Sequence, residues 1–239
     1  MKRERAIKAA ASFLGSRLRS GMPDKAYVIA MIREGFRETD HPGDAFLQGS
    51  TEGCEPGESV APFKGVVKWQ DVDPAILDSH YTALSFFSEG GFRYFLPSFL
   101  IADLEERLQT ADPIFHLTHG FSDKVVRLPA GERTHEKLIG KSEFVNPRRY
   151  GAMTWEDHAL CKLSVFTREE ACAIVAYLEY KRDRDAHGLA ADDINAALDS
   201  FWRDRAARAP EQNALRAHVE AERRYVQDIQ ELHGKERGE

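Results

Sequence analysis

The sequence from residue 88 to residue 108, SEGGFRYFLPSFLIADLEERL, is a dense apolar stretch with a proline in its middle. Its large apolar residues keep one helical phase, at Phe92, Phe95, Leu96, Phe99, Leu100, Leu104 and Leu108. This spacing predicts one continuous helical face, and Ser88 is a suitable N-cap. Pro97 lies off that face, where its ring would clash with the carbonyl of Arg93. We therefore predict a central core helix that is kinked on its outer side.

Helix signals recur along most of the chain. Side chains that can cap a helix N-terminus precede apolar-periodic runs at Asp24, Asp73, Ser88, Thr154 and Thr167. The last two open the capping patterns TWED and TREE. After Asp73, the spacing predicts that Leu77, Tyr81 and Leu84 face inward. The chain is therefore predicted to be mainly α, with residues 1–209 forming a single-domain helical bundle.

In the first half of the chain, two segments need separate description. Residues 1–22 are basic and have amphipathic helical spacing, and Lys8 interrupts the apolar run that an export signal would need. Residues 40–65 are rich in glycine and proline, which predicts an irregular loop with one short helical turn at ESVAPFKG.

The second half contains two more such segments. Residues 110–153 have short strand-like runs, PIFHLTHGF and KVVRLP, and this composition allows one small β-hairpin. Residues 210–239 are predicted to form a long C-terminal helical extension with a narrow apolar seam. The seam runs through Leu215, Val219, Glu222, Val226 and Ile229. Self-association through this helix is one expected use of such a seam, although the glutamate weakens the coiled-coil interpretation.

Composition argues against several functional classes. The net charge of −6 argues against a sequence-independent grip on nucleic acid, which depends on clustered Lys and Arg. No apolar run reaches the length of a membrane span. The three cysteines form no C-x-x-C pair, so we expect neither a disulfide framework nor a thiolate zinc site. A cytoplasmic location fits this cysteine usage best.

The central stretch also carries a family resemblance. It is preceded by Trp69 and by a Y-x-A-L-x-F segment at residues 81–86, and it contains FRYFLPSFL at residues 92–100. Together with the P-G-D turn at residues 42–44 and the later helix FTREEACAIVAYLEY, these motifs resemble an uncharacterised bacterial family of domains of unknown function. The resemblance covers roughly residues 24–205. It implies no known chemistry, so it identifies no catalytic residue.

Histidines are the first candidates for a site. The candidate ligands and acid–base groups are His116, His119, His135 and His158, with Glu156 or Asp157. On a helix, the spacing of His116 and His119 would place both imidazoles on one face, whereas on a strand they would diverge. Strand-like composition favours divergence here, and no strict metal motif such as H-E-x-x-H occurs. Acids at the start of the TWED helix are more typical of capping than of catalysis.

Two groups of residues are candidates for binding. Pro97 would leave the Arg93 carbonyl without a helical partner, so a polar groove beside Arg93 and Tyr94 is one hypothesis. The favoured alternative is that Arg93 pairs with a nearby acid and that the Tyr94 ring packs internally. In the loop NPRRYG, Arg148, Arg149 and Tyr150 are suited to a phosphate or an acidic partner, or are simply exposed.

Two hypotheses of function follow. The chain has no G-x-S-x-G elbow, no S-x-x-K motif and no P-loop, and no cofactor is predicted. The first hypothesis is a non-enzymatic helical protein that acts through protein contacts as a regulator, an adaptor or an immunity-type factor. The alternative is a metal-dependent hydrolase-like or small-molecule-binding domain that uses the His, Glu and Asp candidates.

Overall fold

The computed structural model describes residues 23–50, 52–121, 125–131, 133–138, 143–146, 151–185, 188 and 190–217. The predicted N-terminal helix of residues 1–22 lies outside these ranges, as does most of the predicted C-terminal extension. None of the helices in the described ranges combines the length and the apolar character that a membrane crossing needs.

The described chain is mainly helical, as predicted. Its α-helices are α1 (Lys25–Gly35), α2 (Glu55–Val60), α3 (Pro74–Ser79), α4 (Ala83–Phe86), α5 (Glu89–Leu104), α6 (Pro113–Thr118), α7 (Trp155–Leu163), α8 (Arg168–Arg182), α9 (Ala191–Ala197) and α10 (Arg203–Arg208). Single turns of 3-10 helix occupy Asp44–Phe46, Ala61–Phe63 and Trp69–Asp71, and a π-helical turn at Leu198–Trp202 joins α9 to α10. Residues 212–217 are also helical.

Two antiparallel hairpins lie between α6 and α7. In the first, β1 (Val125–Ala130) pairs with β2 (Arg133–Leu138). In the second, β3 (Glu143–Asn146) pairs with β4 (Gly151–Thr154), which leads directly into α7. Two hairpins therefore stand in the region where the sequence allowed one.

Helix α5 is the centre of the core, and it is continuous across Pro97. Its predicted apolar residues from Phe92 to Leu104 are buried, but so are Arg93, Tyr94, Pro97 and Ser98. The helix ends at Leu104, so Leu108, which the prediction placed on the same face, lies beyond it and is half-buried. The prediction of an outer side at Pro97 is therefore wrong, because neighbouring elements cover the helix there too. Trp69 is one of these neighbours, since its carbonyl accepts a 2.5 Å hydrogen bond from the Ser98 hydroxyl. The bend at Pro97 stays a prediction.

A second prediction is wrong. The segment PIFHLT, whose composition suggests a strand, forms helix α6. Asp112 caps this helix by accepting a 3.0 Å hydrogen bond from the Phe115 N–H. Pro113 follows in the first turn, where its missing N–H costs nothing. Local capping therefore overrides the apparent alternation of apolar and polar residues.

Two smaller differences concern the neighbouring loops. Tyr81 was predicted to face inward but is 47% exposed, because α3 ends at Ser79 and a new helix begins at Ala83. The 40–65 segment contains more helix than predicted, since α2 and the 3-10 turn that follows it bury Val60 and Phe63. The Phe63 ring packs edge-on against Phe87 at 4.9 Å between centroids.

Helices α1 and α8 pack closely at Gly35. A Cβ at this position would lie 2.8 Å from the carbonyl oxygen of Glu169, so glycine allows the two backbones to approach each other. This approach brings the residues that follow α1 near the first turn of α8, where Glu170 lies.

Candidate functional site

Arg93 forms a buried ion pair with Glu170. The Arg93 Nε donates to Glu170 Oε2 at 2.8 Å, and Nη2 donates to Oε1 at 2.9 Å. The exposed fraction of the two side chains is 11% and 1%. Such a two-pronged pair satisfies both charges in a low-dielectric environment.

Glu170 is also the capping residue of its own helix. It is the fourth residue of the TREE capping box, in which the Thr167 N–H donates to Glu170 Oε2 at 2.8 Å. The Thr39 hydroxyl donates to the other carboxylate oxygen. One carboxylate therefore joins the start of α8, the central helix and the segment after α1.

The network continues towards the C-terminal segment. Gln212 is buried, and its side-chain oxygen accepts a hydrogen bond from Arg93. Its Nε2 donates to Asp40 Oδ2 at 3.0 Å, and Arg216 donates to both Asp40 oxygens at 2.7 Å. Hydrogen bonding from Arg216 lowers the pKa of Asp40 below its usual value. Residues Gln212 and Arg216 are thus linked to the centre of the domain.

Tyr94 is also engaged internally. Its hydroxyl donates to the Val67 carbonyl at 2.5 Å, and its ring meets His41 edge-on with centroids 4.7 Å apart. Burial raises the pKa of the Tyr94 phenol. Arg93 is therefore paired with an acid and the Tyr94 ring packs internally, which is the favoured of the two alternatives. A role of these residues in binding a ligand stays a hypothesis.

A second cluster of titratable groups gathers around Phe92. The Lys162 ammonium of α7 lies 4.5 Å from the centre of the Phe92 ring, and Nζ donates to the Leu84 carbonyl at 3.2 Å. The His116 ring lies 6.3 Å from the Phe92 ring, between centroids. Helices α4, α5, α6 and α7 thus meet at one half-buried lysine.

Burial dominates the electrostatics of this cluster. It lowers the pKa of His116 to about 3, and the nearby Lys162 and His119 add to the effect. Burial also lowers the pKa of Lys162 to about 8, although Glu89 opposes this shift. Keeping a charged ammonium there at pH 7 costs roughly 3 kcal/mol relative to water. Such shifts are typical of sites and are uncommon on ordinary surfaces.

The other candidate site residues either lie apart from one another or fall outside the described residues. His119 directly follows α6, so the two histidines of HLTH adopt the helical rather than the strand spacing. Asp157 closes the capping box with Thr154, and the hydrogen bond from the Thr154 side chain lowers the pKa of Asp157. His158 lies one turn before Lys162 on the same helix.

The remaining candidates cannot be placed as side chains. His135 belongs to strand β2, whose side chains are not described, while Arg148, Arg149 and Tyr150 lie outside the described residues. Within the described ranges, no group of three or more His, Cys, Asp or Glu residues is arranged to hold a metal ion.

Sequence reasoning missed Glu170, Glu89 and Lys162. Glu170 was visible only as a cap, and its partner Arg93 lies 77 residues earlier. Lys162 did leave a local signal, because it lies on α7 between the buried residues Ala159 and Leu163. A lysine on the helical face that carries two buried residues is unusual.

These features define a class: a mainly helical domain assembled around an internal arginine–glutamate pair. Comparison of the sequence with family models then assigns the chain to a particular family. Residues 24–206 match a family of unknown function, DUF6714, and the chain belongs to this family. The predicted resemblance to a domain of unknown function is confirmed. No curated protein and no solved structure matched the chain.

Replacing Arg93 should test how much the fold depends on the buried pair. We expect Arg93→Ala to lower the free energy of unfolding by about 3–5 kcal/mol, because it leaves Glu170 buried without a cation. Urea unfolding would measure this. The control is Arg208→Ala, whose exposed pair with Asp204 should be worth less than about 1 kcal/mol. A loss for Arg93→Ala as small as the control's would show that the pair is not structural.

The pKa of His116 predicts a pH dependence. In the unfolded chain His116 takes up a proton near pH 6.5, whereas in the folded chain it does so only near 3. Between these values the unfolded state binds more protons, so stability falls as the pH falls. From pH 7 to pH 5 this residue alone should remove about 2 kcal/mol. In His116→Gln that part of the pH dependence should be absent. An unchanged profile in the variant would contradict the assignment.

Proposed function

We propose that this protein acts without catalysis, by binding another protein as a regulator, an adaptor or an immunity-type factor. The observation that supports this most directly is a pair of exposed apolar side chains on the 40–68 segment. Phe46 is 68% exposed and Val67 is 79% exposed. Large apolar side chains exposed to this degree are typical of contact surfaces when they are held together. We call these two residues and their segment the Phe46–Val67 surface.

The backbone of this surface is fixed by hydrogen bonds. Asp44 Oδ2 accepts from the Gly65 N–H at 2.9 Å, which joins the turn carrying Phe46 to the turn before Val67. The Ser88 hydroxyl donates to the Phe46 carbonyl at 2.5 Å, and Tyr94 holds the Val67 carbonyl. A partner would therefore meet side chains on an ordered backbone, which lowers the entropic cost of binding.

Charges around the surface indicate the kind of partner. Asp44 is exposed two residues before Phe46 in the chain, whereas Lys64 and Lys68 are exposed close to Val67 in the chain. The complementary partner is a protein with an apolar pocket that carries Lys or Arg beside the Phe46 position and an acid beside the Val67 position. This pattern gives a defined orientation as well as affinity.

Two further contact regions are proposed from the sequence alone. The C-terminal helix is suited to a protein partner or to self-association, and Arg148, Arg149 and Tyr150 are suited to an acidic or phosphate-bearing partner. Both lie outside the described residues, apart from the start of the C-terminal segment. A cytoplasmic location belongs to the same proposal, and nucleic acid is not an expected partner.

Binding through the Phe46–Val67 surface can be tested with a photo-crosslinking residue at position 46. The crosslinked protein, once identified and purified, should bind the wild-type chain. Phe46→Ser together with Val67→Ser should weaken its Kd at least tenfold, because apolar anchors dominate such interfaces. Tyr81→Ser is the matched control, since Tyr81 is also exposed but lies on another segment. A Kd that is unchanged in the double variant would overturn the proposal.

A metal-dependent hydrolase-like or small-molecule-binding domain remains the second candidate. Its specific support is the position of His116 in the last turn of α6 with His119 directly after the helix, together with a His116 imidazole that stays neutral at pH 7. Elemental analysis of the purified chain discriminates between the two functions. Stoichiometric zinc, manganese or iron that is lost in His116→Ala would favour this candidate over the interaction protein.

A further inference from the structure

The C-terminal segment is attached to the stretch of chain that follows α1. Arg216 donates hydrogen bonds to both carboxylate oxygens of Asp40 at 2.7 Å and to the Glu38 carbonyl at 2.9 Å. Gln212 adds a 3.0 Å hydrogen bond to Asp40, and its side-chain oxygen accepts one from Arg93. An exposed arginine and a buried glutamine therefore fix this segment to the domain.

The stretch that receives these contacts leads directly into the Phe46–Val67 surface. Residues 39–43 have no regular secondary structure, so their position depends on side-chain contacts. Within the stretch, the His41 Nδ1 accepts a 2.9 Å hydrogen bond from the Gly43 N–H. Asp44 comes next and accepts the 2.9 Å hydrogen bond from the Gly65 N–H that joins the two halves of the surface. One short, irregular stretch thus connects the contacts of the C-terminal segment to those of the surface.

We propose that the C-terminal segment is a latch that controls the order of the Phe46–Val67 surface. While the segment is attached, Asp40 is held and the turn that carries Phe46 keeps its place. When the segment detaches, Asp40 loses its partners and this turn is free to move. The inference concerns the regulation of the binding surface, and in that respect it rests on the proposed function. A protein that binds the chain beyond residue 217 would act on the surface by favouring one state of the latch.

The contacts of the latch are suited to reversible release. The side chains of Arg216 and Asp40 are 42% and 56% exposed, and ion pairs exposed to this degree are only weakly stabilising. The pair between Arg93 and Glu170 is buried, and it stays in place when the segment leaves because its hydrogen bonds do not involve the segment. The C-terminal segment can therefore detach while the core stays folded.

Hydrogen exchange of single backbone amides, followed by NMR in the full chain, tests the latch. The Gly65 N–H is held by Asp44, and the Phe46 N–H donates to the Gly43 carbonyl at 2.9 Å. In Arg216→Ala we expect both amides to exchange at least about threefold faster than in the wild type, because local opening of the surface becomes more frequent.

Two controls separate the latch from a general loss of stability. The amide of Ile174, a buried residue of α8, should keep its wild-type exchange rate in Arg216→Ala. Arg208→Ala removes another exposed arginine and its ion pair from the same end of the chain, and it should leave Gly65 and Phe46 unchanged. In Arg216→Ala, a change of less than about threefold at the two surface amides, or an equal acceleration at Ile174, would overturn the proposal.

The coupling must also work in the opposite direction, because linkage between two sites is reciprocal. Asp44→Ala frees the surface and should therefore raise the initial rate of tryptic cleavage after Arg216 by at least about twofold, as measured by mass spectrometry. Glu55→Ala is the matched control, since it removes an exposed acid from α2, which lies between Phe46 and Val67 in the chain. A rate in Asp44→Ala no higher than in this control would refute the coupling.

Both measurements are made without a binding partner. They therefore distinguish failure of the latch from failure of the proposed function, which is tested by the Kd of the variant with serine at positions 46 and 67.

Discussion

The rest of the structure depends on the bidentate pair between Arg93 and Glu170. A buried charge is stable only when its partner and its remaining hydrogen-bonding atoms are all in place. Here those atoms are supplied by Thr39, Thr167 and Gln212, from three parts of the chain that are distant in sequence. The pair therefore requires that these segments arrive together, and it couples the C-terminal segment to the central helix.

The sequence could predict the helices wherever local chemistry decided them. The two capping boxes and the helical phase from Phe92 to Leu104 were read correctly because these signals lie within a few residues of each other. The comparison of two Asp–Pro pairs is instructive. Asp73–Pro74 was recognised as a helix start, but Asp112–Pro113 was not, because the six residues after it also alternate like a strand. In a run this short, the cap and the proline are stronger evidence than the alternation.

Long-range contacts could not be predicted in the same way. The phase of α5 defines one apolar face, but the burial of Arg93, Tyr94 and Ser98 depends on Trp69 and α8, which come from elsewhere in the chain. Likewise, the low pKa of Lys162 comes from its burial, which Glu89 opposes. A lysine between two apolar positions can be noticed in the sequence, whereas its solvation and its charged neighbours depend on the tertiary structure.

The buried Arg93 and the half-buried Lys162 illustrate how differently two cations are supported in one domain. Arg93 is matched by a carboxylate at hydrogen-bonding distance, so its burial organises the fold. Lys162 is held by a single carbonyl and an aromatic face, and Glu89 acts on it only at longer range. These contacts offset only part of the free energy that burying its charge costs. A lysine that served packing alone would be replaceable by methionine, which fills similar space without that cost.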